Sequence, residues 1–121
     1  MTTQQVASRY YELFNQNKRE EIVEELYGQD IACREPEHAI SLGVQTLTQG
    51  IDAIKAKAKA GNERIEEVHA SFCTEPAVAG NFFSMAMGRE ITLKAGPRIK
   101  REEIALFEVK DGKIVLEQFF Y

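Results

Sequence analysis

The chain has no stretch of apolar residues near the ~18 needed to cross a bilayer, which excludes a membrane-spanning helix. It has few cysteines, only Cys33 and Cys73 among 121 residues, and no CxxC spacing. A disulfide framework is therefore not expected, and both cysteines read as small buried hydrophobes, with a catalytic thiol as the weaker alternative. There is no excess of positive charge in either half. Residues 1–60 carry 7 basic and 9 acidic groups and residues 61–121 carry 8 and 10, so the net −4 is evenly spread. No basic lobe is available for a phosphate backbone. Arg98, Lys100 and Arg101 are followed at once by Glu102 and Glu103, which cancels the one local cluster. The sequence also lacks HxH and HExxH spacings, a Ser-His-Asp order and a glycine-rich phosphate loop. Neither a metal nor any other cofactor is expected. The first residues, Met1 to Gln5, show no basic and no apolar leader region, so a cytoplasmic protein is expected.

What is present is ordinary globular composition, 44% hydrophobic and 28% charged. The length fits one domain spanning residues 1–121. Thr2 and Gln5 form a capping-box pair, and Val6, Tyr10, Leu13 and Phe14 then make one apolar stripe, which predicts a first helix. Asn15-Gln16-Asn17 breaks it. A second helix is predicted from about Lys18 to Tyr27, stopped by Gly28. Asp30 to Glu35 reads as a strand ended by Pro36, and Glu37 to Gln49 as a loop with some extended structure. A third helix is predicted from about Gly50 to Ala60, with Lys55, Lys57 and Lys59 on its solvated side.

Beyond residue 63 the period changes to two. Strands are predicted at Glu66–Thr74, within Ala79–Thr92, at Lys100–Lys110 and at Lys113–Tyr121. The last two flank Asp111-Gly112, a strong hairpin signal. Helices first and strands afterwards make an α+β domain with an antiparallel sheet.

Four strings in this order resemble the SnoaL-like branch of the nuclear transport factor 2-like superfamily. They are Arg9–Asn15, the Asp30-Ile31 stretch ending at Glu35-Pro36, Gln49–Ile54, and Phe107–Val115. The resemblance covers nearly the whole chain. It implies a cone: a strongly curved antiparallel sheet wrapped around three helices, a cystatin-like α+β roll. In many members the open end is an apolar pocket, of roughly 300–1,000 Å³ for a small-molecule site. By likeness to ketosteroid isomerases, a helix tyrosine falls on Tyr10 and the carboxylate base on Glu35. The second acid of that site falls on Ala105, which cannot donate a hydrogen bond. By likeness to SnoaL-type cyclases, the last-strand aspartate falls on Phe119.

Tyr10 and Glu35 are thus the candidate catalytic pair. Strand alternation adds Glu103 and Phe107 on the face of Ala105, Glu117 with Phe119 on the last strand, and Phe83 and Met85 on the strand before. Phe14 and His38 complete the expected ligand-binding set. The function this implies is binding of a small apolar molecule, with proton transfer of the isomerase, cyclase or dehydratase type and Glu35 as base. The alternative is a non-catalytic dimeric module that binds a ligand or a protein. Outward apolar residues Ile104, Leu106, Leu116 and Phe120 predict a homodimer through the outer sheet face. An open cavity containing Glu35 would favour the enzyme, and a cone filled by side chains the module.

Overall fold

The first helix, α1 (Thr3–Asn15), begins where its capping box closes. Thr2 Oγ1 accepts from the Gln5 amide at 3.1 Å, and Gln5 Oε1 accepts from the Thr2 amide at 2.9 Å. These two bonds satisfy backbone donors that a helix end otherwise leaves orphaned. Asn17 takes a left-handed φ of 59°, which turns the chain into α2 (Arg19–Leu26). The computed structural model describes all residues from Met1 to Tyr121.

β1 (Tyr27–Arg34) follows α2 directly. Tyr27, expected at the helix end, is therefore the first residue of a strand. The stretch expected to be a loop holds a short 3-10 helix (Glu37–Leu42) and a three-residue strand, β2 (Leu47–Gln49). α3 (Ile51–Glu63) runs through Gly61-Asn62, the residues expected to end it. The remaining strands are β3 (Ile65–Cys73), β4 (Ala77–Ala79), β5 (Phe82–Leu93), β6 (Arg98–Lys110) and β7 (Lys113–Phe120). Asp111 and Gly112 both have positive φ, 51° and 73°, the requirement of the tight β6–β7 turn.

The sheet order is β2-β1-β7-β6-β5-β3, with β4 paired to β5. All neighbours are antiparallel except β1 and β7, which run parallel. Register shifts interrupt the β1–β7, β3–β5 and β6–β7 ladders, and such bulges bend a sheet. The helices pack on the curved sheet's concave face. The α+β roll expected from the sequence is the fold.

The concave face is mostly occupied. Tyr10 from α1 meets Phe107 of β6 with ring centroids 4.8 Å apart, and Phe107 stacks on Phe83 of β5 at 4.7 Å. Val6, Leu13, Ile31, Met85, Ala105 and Ile114 close round them. The apolar cavity expected behind Phe83, Met85 and Phe107 is thus filled by those side chains. Three aromatic rings and two long strands leave no room for a ligand at that depth.

Candidate functional site

Polar chemistry collects at the open end of the cone, where β1, β5, β6 and β7 present their inward residues. The parallel β1–β7 pairing places Cys33 opposite Glu117. The β6–β7 ladder places Phe107 opposite Glu117, and β5–β6 places Met87 opposite Glu103 and Arg89 opposite Arg101. Inward alternation along β6 then gives Arg101, Glu103, Ala105 and Phe107 in sequence, charged at the mouth and apolar inside.

Glu117 is 7% exposed. The Tyr27 hydroxyl donates to its Oε2, which answers the rule that a buried polar group needs a partner. Burial pushes the Glu117 carboxyl above its usual range, against the pull of the Tyr27 bond and of Lys57. The phenols of Tyr27 and Tyr10 are both pushed up by burial and then by the charge of Glu117. Tyr10 therefore faces the deep side of this group, not Glu35.

Glu35 lies nearer the surface in a network of its own. Lys57 Nζ donates to its Oε1 at 2.9 Å and the Tyr121 hydroxyl donates to its Oε2 at 2.8 Å. Lys57 also reaches Cys33 Sγ at 3.5 Å. Arg34, the sequence neighbour of Glu35, makes no ion pair with it. Burial pushes the Cys33 thiol up, so it is no ready nucleophile. His38 is exposed and stands edge-on to the Tyr121 ring at 5.6 Å. His69 lies elsewhere, on β3, bonded to Thr92 Oγ1 at 2.7 Å.

Glu103 lines a cleft of about 100 Å³ together with Arg19, Met87, Gly88, Arg89 and Arg101. Its carboxyl is pushed up to about 7, first by burial and then by the charge of Glu35, with Glu117 adding to it and Arg89 and Arg19 opposing. No cation lies within 4 Å of it; Arg101, its possible partner by alternation, stays unpaired. Glu103 thus combines access to a cleft with a protonation change near neutrality.

The cleft is polar and small, where an apolar pocket was expected. Of the expected ligand-binding residues, Glu103 lines it. Phe14, Phe83, Met85 and Phe107 belong to the packed core, and Phe119 is half-buried against that core. Phe14 also carries the Arg19 guanidinium over its ring at 4.6 Å.

Tyr27, Lys57, Tyr121, Arg19 and Arg89 enter the mouth without having been singled out by sequence pattern. Lys57 sits among alternating lysines that read as a solvated face, and only the tertiary position of β1 turns it towards Glu35. For Arg89 a signal exists. The loop Lys94–Pro97 sets Thr92 opposite Arg98, and counting back along both strands pairs Arg89 with Arg101.

A raised carboxyl ties stability to pH. In the window from about 4.5 to about 7 the folded chain keeps the Glu103 proton and the unfolded chain has lost it. The stabilisation is fully present below 4.5 and is lost as pH rises through 7. The melting temperature of the wild type, minus that of Glu103→Gln, should fall across this window and flatten above it. Scanning calorimetry at a series of pH values checks this, and a constant difference contradicts it.

A candidate SnoaL-like polyketide cyclase from Mesorhizobium loti is 30% identical, superposes with a TM-score of 0.91, and is covered over 100% of both chains. A nuclear transport factor 2-like protein of unknown function from Burkholderia pseudomallei is 17% identical, with a TM-score of 0.78 over 100% of this chain and 92% of that one. TerC, co-crystallised with polyporic acid, is 17% identical, with a TM-score of 0.77 over 99% of this chain and 92% of that one. The last two share the fold alone. No curated protein matches the sequence. The family model for the SnoaL-like domain matches residues 1–121. The chain belongs to the SnoaL-like domain family.

Proposed function

We propose that the protein is an acid–base catalyst of the cyclase or isomerase type that acts on a small organic molecule at the mouth of the cone. The carrying observation is Glu103, a carboxyl on a cleft wall with its pKa pushed to about 7 and no cation within 4 Å. A general base works best with a pKa near the working pH, and such groups typically contribute 10²–10⁴-fold. The base role proposed here passes from Glu35 to Glu103. Glu35 is engaged by Lys57 and Tyr121 and acts as the fixed anion that helps hold Glu103 up. Glu117, one pleat deeper than Phe119 on the last strand, hydrogen-bonds Tyr27 beneath them. The substrate lies at the mouth, because the interior is filled.

The test is hydrogen–deuterium exchange at the carbon beside a carbonyl, followed by proton NMR in D₂O. Phenylacetone serves as the neutral probe and phenylpyruvate as the acidic one. The wild type should accelerate exchange of at least one, with a rate that rises through pH 7. No acceleration of either overturns the reading and leaves the binding module.

The filled interior supports that module as the second reading, and either reading accommodates a homodimer. Phe72, Ile104 and Phe120 on the outer sheet face are 43%, 48% and 48% exposed. Across the ladder, Ile104 stands opposite Phe120 and also opposite Ala86, a contiguous apolar strip. We expect this face to bury itself against a second copy. Light scattering on the eluting peak should give a dimer mass at micromolar concentration, and Ile104→Glu should halve it. A wild-type monomer contradicts the dimer.

A further inference from the structure

We propose that the cleft beside Glu103 is a subsite for the carboxylate group of a small organic acid, held by Arg89, Arg101 and Arg19. This rests on the catalytic reading of the same mouth and names the class of substrate it takes.

Three observations converge. First, Arg89 and Arg101 are direct cross-strand partners. Like charges directly opposite on an antiparallel pair repel, so the arrangement is costly unless something negative lies between them. Second, neither guanidinium has a carboxylate within 4 Å, although the chain carries 19 acidic residues against 15 basic ones. Of the arginines outside the cleft, Arg9 and Arg98 are ion-paired, and Arg34 and Arg64 stand free in solvent. Arg89 differs from those last two in being largely withdrawn from water. Third, Arg19 reaches the same cleft from α2, steadied over the Phe14 ring, so the cations arrive from two sides.

The one facing acid is Glu103, which is neutral for half its population near pH 7. Burial, with Arg19 and Arg101 beside it, pushes the Arg89 guanidinium down to about 10, as expected of a cation short of counter-charge. Planar guanidinium forks match a carboxylate in a bidentate fashion. A cleft of about 100 Å³ fits such a head group and not a whole metabolite. The rest of the acid then projects past Glu103, two residues along β6 on the same face. With the carboxylate of a 2-keto acid anchored on the arginines, the carbon on the far side of the ketone lies towards Glu103, which takes its proton as the ketone oxygen becomes the enolate.

The experiment compares phenylacetate with its neutral isostere phenylacetamide, by calorimetric titration at pH 7 and constant ionic strength. Phenylacetate should bind at least tenfold more tightly, and Arg89→Gln should remove that preference. Lys59→Gln, on the exposed side of α3, should leave it intact. Amide shifts in the wild type should centre on Gly88, Arg89 and Arg101, a readout that needs no variant. Equal binding of acid and amide, or shifts centred elsewhere, overturns the proposal. Binding of phenylacetate at this site with no exchange of phenylpyruvate would sink catalysis and keep the subsite. Exchange of phenylacetone and phenylpyruvate at equal rates, with no preference for phenylacetate, would sink the subsite and keep catalysis.

Discussion

Glu103→Gln is expected to lower the proton-exchange rate by about 10²–10⁴-fold, the usual worth of a positioned general base. Gln keeps the shape of the side chain and cannot accept the proton. The loss should fall on turnover, since the proposed ligand anchor is Arg89 with Arg101. Folding gives no competing explanation. Glu103 makes no hydrogen bond or ion pair within the chain, and its ionised form is already disfavoured by burial. Replacing it should therefore leave the melting temperature above pH 7 unchanged or higher. Glu35→Gln separates the two candidate carboxylates. It removes the anion that raises Glu103, so the rate profile should move to lower pH with the maximum rate largely kept. If Glu35→Gln abolishes exchange and Glu103→Gln does not, the base is Glu35.

The second large effect is on stability. Phe107→Ala should cost about 3–5 kcal/mol, the range for deleting a fully buried aromatic ring from a packed core. Phe107 has no exposed surface and contacts both Tyr10 and Phe83. Its loss opens a cavity at the point where α1 rests on β5 and β6. Set against the 5–15 kcal/mol typical of a whole domain, that is a large fraction. Chemical denaturation measures it. Phe107→Leu should cost much less, because most of the volume is kept. A cost below 1 kcal/mol for Phe107→Ala would mean that the interior is not the filled core described here.

The legible part of this protein is what short-range physics decides. The Thr2–Gln5 capping box, the Val6-to-Phe14 stripe and the Asp111-Gly112 turn each act within a few residues, and each lies where the sequence puts it. The inward set Glu103, Ala105 and Phe107 follows from alternation alone. The site was less legible because it is assembled across the fold. Gly28 marks the end of the helix, yet Tyr27 just before it already belongs to the strand, a shift of one residue that local pattern does not decide. The Tyr27 bond to Glu117 joins residues 90 positions apart. Lys57 looks like its neighbours Lys55 and Lys59 until α3 is laid against β1. The sequence pattern suggests an apolar cavity where the structure has packed side chains. The stripe that lines a pocket and the stripe that fills one have the same spacing, and only the reach of Tyr10 across to Phe107 tells them apart.

The carboxyl of Glu103 at the mouth of the cone is expected to exchange its proton near neutral pH. Carbon-13 NMR of the Glu103 side-chain carboxyl, assigned by its disappearance in Glu103→Gln, measures this directly. A titration midpoint near 7, falling in Glu35→Gln, is the predicted result. A midpoint near the ordinary 4.5 would mean that Glu103 is not the base.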